Sequence, residues 1–304
     1  MSKLTLATEW LAICGGCEIG ILDLDENLLS LLEQVEVVYS PVLMDIKELP
    51  KCDVAIVSGC IRNSENEEKA KIMREKADTL IAFGTCACHG GLFSLGGLYP
   101  PDELKKKVYR DVVTAEYTGV CPSEEEGLPE LTRSVKTLDE VVDVDFYIVG
   151  CPPTPENIVT AISNVIENKK GEKRKTVCSE CNRIMERVEL DRLRRSYEGK
   201  ITDEKCLISH GLICMGSVTM GGCNAKCPSN GIPCNGCNGP SEKILKNPFK
   251  DVGYSLAELV SAITNIELEE VINHMKEASK MPYTFTAASK IMLAKPRIMM
   301  VKEL

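Results

Sequence analysis

A chain of 304 residues, 44% hydrophobic and 27% charged, has material for one large or two ordinary domains with a buried core. A net charge of -9 and an aromatic share of 5% exclude a nucleic-acid partner, which would need a basic surface and stacking rings beyond the lone Trp10. No apolar run approaches the length that spans a bilayer, so no membrane insertion is expected.

The opening segment to Cys14 carries no twin arginine, no extended apolar region and no small-residue cleavage site, which predicts a cytoplasmic protein. Short apolar runs that mostly end in Gly or Pro read as strands: Leu4–Trp10, Val35–Val42, Asp53–Ser58, Thr79–Gly84 and Asp145–Gly150. Helical patterning falls between them at Glu18–Glu33 and Glu65–Lys76. This alternation predicts an α/β fold, a doubly wound parallel sheet of flavodoxin-like order with helices on both faces. Glu156–Asn168 reads as the helix closing that domain, and the charged run Lys169–Lys175 reads as a solvated linker. The expected division is therefore 1–168 for the sheet domain and 169–304 for a smaller, cysteine-rich, irregular and helical domain.

In the second half, a charged helix is expected over Ile184–Tyr197. From Cys206 to Pro240 the chain is rich in Gly, Cys and Pro and too poor in bulky apolar residues to fold by burial alone, so ligated metal is expected to stabilise it. Ser255–Ala278 reads as an amphipathic helix capped by Ser255. Met281–Leu304 has no clear period and is expected to pack on this chain or on a partner.

Sixteen cysteines in a reducing compartment point to metal ligation rather than disulfides. Eight lie late: Cys178-x2-Cys181, Cys206, Cys214, Cys223-x3-Cys227 and Cys234-x2-Cys237. Four thiolates per site suit a 4Fe–4S cluster or zinc, so eight imply two sites, with Cys214 and Cys223 exchangeable between them. In the first half, Cys14, Cys17, Cys86 and Cys151 all follow the carboxyl ends of expected parallel strands, where an open α/β sheet places its ligand. That coincidence predicts a third site. Gly15, Gly16, Gly84 and Gly150 beside them would let backbone approach a bulky inorganic core. Cys52 and Cys60 bracket a core strand and read as small buried hydrophobes. Cys88 lies two residues from Cys86 and is open to confusion with it, and the role of Cys121 stays open. His89, His210 and His274 read as surface or core histidines. Glu18 could face a partner's active site or simply stabilise its helix from the first turn. Phosphate loops, Gly-x-Gly-x-x-Gly turns and nucleophile elbows are absent, so no catalytic residue is assigned.

Together, Cys14-x2-Cys17, Gly84-Thr85-Cys86-Ala87-x2-Gly90-Gly91 and Gly150-Cys151-Pro152-Pro153 resemble the proximal-cluster pattern of NiFe hydrogenase small subunits. Gly231-Ile232-Pro233-Cys234-x2-Cys237 resembles their medial-cluster motif, and the likeness runs from Ile13 to about Pro240. A related complex I subunit shares the first core and lacks the second cysteine-rich domain. The resemblance implies an electron-transfer subunit with three 4Fe–4S clusters. Cys14, Cys17, Cys86 and Cys151 would hold the proximal one. Cys178, Cys181, Cys206 and Cys214 would hold the distal one, and Cys223, Cys227, Cys234 and Cys237 the medial one. Cys178 stands where many members have histidine, and the medial set has four cysteines where many relatives have three. Gly16 and Gly91 stand where oxygen-tolerant members carry extra cysteines, which implies an oxygen-sensitive enzyme. The all-cysteine sets most resemble the cytoplasmic deazaflavin-non-reducing group of methanogenesis. That likeness implies a NiFe-containing large subunit, an iron–sulfur adaptor subunit and heterodisulfide reductase as partners. The alternatives are a deazaflavin-reducing hydrogenase or other respiratory electron-transfer subunit and, in another class, a zinc-stabilised binding or scaffold module.

Overall fold

The computed structural model describes residues 3–113, 120–122, 127–167, 175–277 and 281–289. They fall into two compact units, one of Met1–Pro152 with Ala287–Lys290 and one built on Pro153–Thr286.

The first unit begins with β1 (Leu4–Trp10), α1 (Gly16–Leu22), α2 (Glu26–Gln34), β2 (Val35–Tyr39), β3 (Cys52–Ser58) and β4 (Ile61–Asn63). It continues with α3 (Ser64–Lys76), β5 (Ala77–Phe83), α4 (Gly84–His89), α5 (Pro101–Tyr109), β6 (Leu131–Lys136) and β7 (Phe146–Ile148). β1, β2, β3, β5 and β7 form one parallel sheet in the order β2-β1-β3-β5-β7. Counted among the parallel strands alone this is 2-1-3-4-5, the flavodoxin-like order expected. β3 and β5 are apolar almost throughout, because a parallel sheet is covered on both faces. Ala55, Val57, Leu80 and Ala82 are fully buried. At their amino ends the strands are tied by side chains: Asp53 Oδ2 accepts from Thr5 N at 2.7 Å, and Asp145 Oδ2 accepts from Leu80 N at 2.7 Å. At the carboxyl ends the registers are flush. Trp10, Ser58, Phe83 and Ile148 form one row across four strands, and the chain leaves the sheet together there.

The expected helix over Glu18–Glu33 is two helices. The break lies at Asp23–Asp25, where Asp25 takes φ 50°, and Leu24 within it is buried at 2% exposure. β4 and β6 form a separate antiparallel pair, too short to show a pattern in the sequence.

The second unit holds α6 (Pro155–Ile166), α7 (Lys226–Ser229), α8 (Glu242–Leu245), α9 (Val252–Thr264) and α10 (Leu268–Glu277) around an irregular middle. The helix expected over Ile184–Tyr197 is not formed. That stretch gives its backbone to neighbours: Ile184 N donates to Glu204 O (2.9 Å), Val188 N to Ile263 O (2.8 Å) and Arg194 N to Gly211 O (2.8 Å). These bonds to distant carbonyls take the N–H groups that a helix would need. The late helix is also two, α9 and α10, parted at Asn265 in the left-handed region (φ 57°). Its cap is Asp251 rather than Ser255, with the Asp251 carboxylate accepting from Tyr254 N at 2.8 Å. The linker up to Arg174 and most of Met281–Leu304 lie outside the described residues. Among the described residues, no helix is long and apolar enough to cross a membrane.

Candidate iron–sulfur sites

The first cysteine set gathers just beyond the row Trp10, Ser58, Phe83 and Ile148. After β1 the chain is pinned by a two-bond bridge, Ala12 N to Cys60 O (3.0 Å) and Cys60 N to Ala12 O (3.1 Å), and then presents Cys14 and Cys17. Cys86 and Cys151 each follow three residues after the row, from β5 and β7. The two ends are clamped together. Thr85 N donates to Gly150 O at 2.8 Å, and Gly150 N donates to Thr85 Oγ1 at 3.0 Å. Gly84, at φ 83°, is required here, because a Cβ at that position would collide with Cys17 Sγ.

The four thiols lie within electrostatic reach of one another. Burial pushes Cys17 up to about 12, with Glu18, Cys151 and Cys14 adding to it. Cys86 is raised by burial and by Cys60, Cys151, Cys17 and Cys14, and Cys151 by burial and Cys14. Thiols gathered in this way, three of them resisting ionisation, are satisfied by cationic metal, which replaces the protons and binds the thiolates. Glu18 sits beside them. Its Oε1 accepts from the Ser58 hydroxyl, while Oε2 is buried without a partner.

The second set is held by turns. Cys178 lies in the 3-10 turn Val177–Ser179, with Cys181 after it. Cys206 and Cys214 each open a 3-10 turn, Leu207–His210 and Met215–Ser217. Cys206 N donates to Ile184 O at 2.7 Å, drawing the Cys178–Ile184 segment against the Cys206 segment. Burial pushes Cys178 up to about 12, with Cys214, Cys206 and Cys181 contributing in that order. Cys214 is raised mainly by burial, then by Cys206 and Cys181, against the N–H groups of Cys234 and Gly216.

The third set is two pairs. Burial raises Cys223, with Glu180 and Cys227 adding to it. Cys234 is raised by burial, Cys214 and Cys237. The pairs are brought together by backbone: Ile232 N donates to Cys227 O (3.0 Å), and Met220 N to Gly239 O (3.0 Å) beside the Thr219–Pro240 bridge. Cys214 thus stands among Cys178, Cys181 and Cys206, and Cys223 beside Cys227. The late sets also touch: Cys234 N donates to Cys214 Sγ at 3.2 Å, and Met215 N donates to Cys234 O at 2.8 Å.

Four cysteines stand outside these sets. Cys88 is buried with Sγ toward Ala82 O and Ile148 O, and Cys52 is buried in β3. Cys60 is fully buried and packs in one cluster with Cys86, Val135 and Ala288. Cys121 is half-buried in the short stretch 120–122. His89 is driven down to about 4 by burial, against Asp139, and its Nδ1 is buried without a partner. His210 Nε2 pairs with Asp203 at 2.8 Å. Sequence reasoning passed over Thr85, Asn157 and Glu180, which lie against the sites. Only adjacency to Cys86 flagged Thr85, and single polar residues such as Asn157 and Glu180 carry no pattern.

The family described as NADH ubiquinone oxidoreductase, 20 Kd subunit, matches residues 14–165. A vhu subunit of the F420-non-reducing hydrogenase of Methanococcus voltae is 42% identical over 86% of this chain and 88% of its own length. The iron–sulfur subunit of the F420-non-reducing hydrogenase of Archaeoglobus profundus is 34% identical over 84% of this chain and 86% of its own. A crystal structure of an NAD+-reducing [NiFe]-hydrogenase in the H2-reduced state contains a similar chain. It is 34% identical with a TM-score of 0.53, and the match covers 56% of this chain and 95% of that one. On its sheet order, its cysteine sets and these likenesses, the chain belongs to the hydrogenase small-subunit family, an oxidoreductase family, and within it stands with these F420-non-reducing hydrogenase subunits.

Proposed function

We propose that this chain is the electron-transfer subunit of a cytoplasmic NiFe hydrogenase, with hydrogen split on a separate large subunit. Cys14, Cys17, Cys86 and Cys151 hold the proximal 4Fe–4S cluster. Cys223, Cys227, Cys234 and Cys237 hold the medial one, and Cys178, Cys181, Cys206 and Cys214 the distal one. Such clusters take up and release single electrons, so three of them relay charge from the partner's site to an acceptor. An iron–sulfur adaptor subunit and heterodisulfide reductase are the acceptors this reading names.

One observation carries it: four thiols from three separate strand ends gather within electrostatic reach of one another at the carboxyl edge of a parallel sheet. Structural zinc sites take ligands from neighbouring residues, with Zn–S bonds of about 2.3 Å. Ligands drawn from three strand ends, 65 and 69 residues apart in the chain, suit a larger inorganic core better than such a local site. The chain's own residues orient and shield it: the Thr85–Gly150 clamp sets Cys86 against Cys151, and Gly84 leaves room for Cys17.

The test is anaerobic purification of the native complex through this chain, with metal analysis. Nickel near one per chain and iron in large excess would agree. Iron without nickel would keep the relay and move it to another oxidoreductase. A colourless protein with zinc and no iron would overturn the reading.

A further inference from the structure

Around the third cysteine set, the dipeptide Gly221–Gly222 leads into Cys223 and is gripped from four sides. Gly221 N donates to Lys175 O at 2.7 Å, Asn238 Nδ2 donates to Gly221 O at 3.2 Å, and Gly222 N donates to Glu180 Oε1. On the fourth side lies the Asn157 side chain, from the first turn of α6. A Cβ on Gly222 would meet Asn157 Oδ1 at 2.8 Å and Nδ2 at 3.1 Å, so the amide lies flat against the Gly222 α-carbon. Asn157 is 7% exposed, and its Nδ2 is buried without a hydrogen-bond partner. A buried amide N–H left unsatisfied is costly, so this one calls for an acceptor. Glycine at 222, with φ 109°, brings that amide within a residue of Cys223, where a side chain would hold it off.

A thiolate-bound cluster is an assembly of sulfur acceptors, and N–H groups aimed at the sulfurs are a main determinant of its potential. We infer that Asn157 donates its side-chain N–H to sulfur of the cluster held by Cys223, Cys227, Cys234 and Cys237, and so sets that cluster's potential. The inference rests on the cluster assignment proposed above. The donor favours the more negative, reduced form, so removing it lowers the midpoint. Asn157 also lies six residues after Cys151 in the chain, which places a ligand of one set and a donor to another on a single short segment.

The test uses the native complex, purified anaerobically, with asparagine labelled with 15N at the side-chain amide. Pulsed EPR of the reduced complex should show one cluster weakly coupled to a side-chain 15N. In Asn157→Leu, which keeps the bulk over Gly222 and removes the donor, the coupling should vanish. The oxidised-to-reduced ratio of that cluster at fixed potential should then rise about tenfold, 59 mV for one electron, with the other two unmoved. Should Asn157→Leu lose iron, Asn157→Asp keeps the shape and serves the same comparison of coupling. No 15N coupling in the wild-type complex would overturn the inference, as would coupling that survives both substitutions through Asn238. Full iron with no coupling would refute the Asn157 role alone, whereas absent iron would refute the cluster assignment.

Discussion

Gly84→Ala separates backbone strain from collision at the first site. An L side chain in the left-handed region costs roughly 1–2 kcal/mol, and Gly84 sits there at φ 83°. The added Cβ also drives into Cys17 Sγ, and overpacking of this kind costs about 1–3 kcal/mol more. A total of roughly 2–5 kcal/mol falls below the 5–15 kcal/mol that holds a typical domain, so the chain should fold with the Cys17 thiol displaced. Gly127→Ala is the control, since Gly127 has φ 76° with nothing within 4 Å of its added Cβ and so bears the strain alone. Iron and acid-labile sulfide would be measured on both complexes after anaerobic purification, with urea unfolding alongside. Gly84→Ala should lose about four iron ions per complex, those of one 4Fe–4S cluster, and Gly127→Ala none. Full iron and an unchanged spectrum in Gly84→Ala would refute the placement of Cys17 over Gly84. Equal losses in both variants would show that strain, not collision, decides.

Cys214→Ser should alter the EPR signal of the second site chiefly, and Cys223→Ser that of the third. The reverse pattern would exchange the two ligands. Burial holds the Glu9 carboxyl above its usual pKa despite Lys69 at 3.8 Å. Its contribution to stability is therefore full in acid and fades as pH rises through the native value. Glu9→Gln should accordingly lose less stability than wild type toward alkaline pH, and parallel thermal-unfolding profiles would contradict this. Asp251→Ala removes the cap on Tyr254 N (2.8 Å) and the bond from the Tyr283 hydroxyl (2.8 Å). It should cost about 2–4 kcal/mol in denaturant unfolding, and a loss under about 0.5 kcal/mol would contradict it.

The parallel sheet was legible because buried strands are continuous apolar runs. β1 has the bounds expected from Leu4–Trp10, and β3 and β5 start one or two residues earlier than expected. The first cysteine set was legible for the same reason: once strand ends are known, Cys14, Cys17, Cys86 and Cys151 share an edge whatever their spacing. Breaks inside helices were not. The bend at Asp25 and the turn at Asn265 each rest on one residue with positive φ, and neither changes the apolar period enough to show. Ile184–Tyr197 misled because charge spacing mimics a solvated helix, whereas its N–H groups are taken by segments 17 to 75 residues away, as in Arg194 with Gly211 and Val188 with Ile263. The neighbours of Cys214 depend on turns the spacing does not encode. Asn157 is one polar residue in an amphipathic helix, and only its burial singles it out.

The route by which the cysteines meet also bears on how the newly made chain matures. Cys17 and Cys86 are 69 residues apart and Cys86 and Cys151 another 65, while Cys223 and Cys237 are separated by 14. Closing a 69-residue loop costs roughly 1.4 kcal/mol more entropy than closing one of 14. The first set also exists only after β5 and β7 have docked into register. Its place at the end of four strands makes it a product of completed tertiary structure, late to assemble and early to scatter when the sheet loosens. Cys223, Cys227, Cys234 and Cys237 lie on one short stretch of chain, so a chain caught midway through biogenesis can present them before the strand-end set has come together.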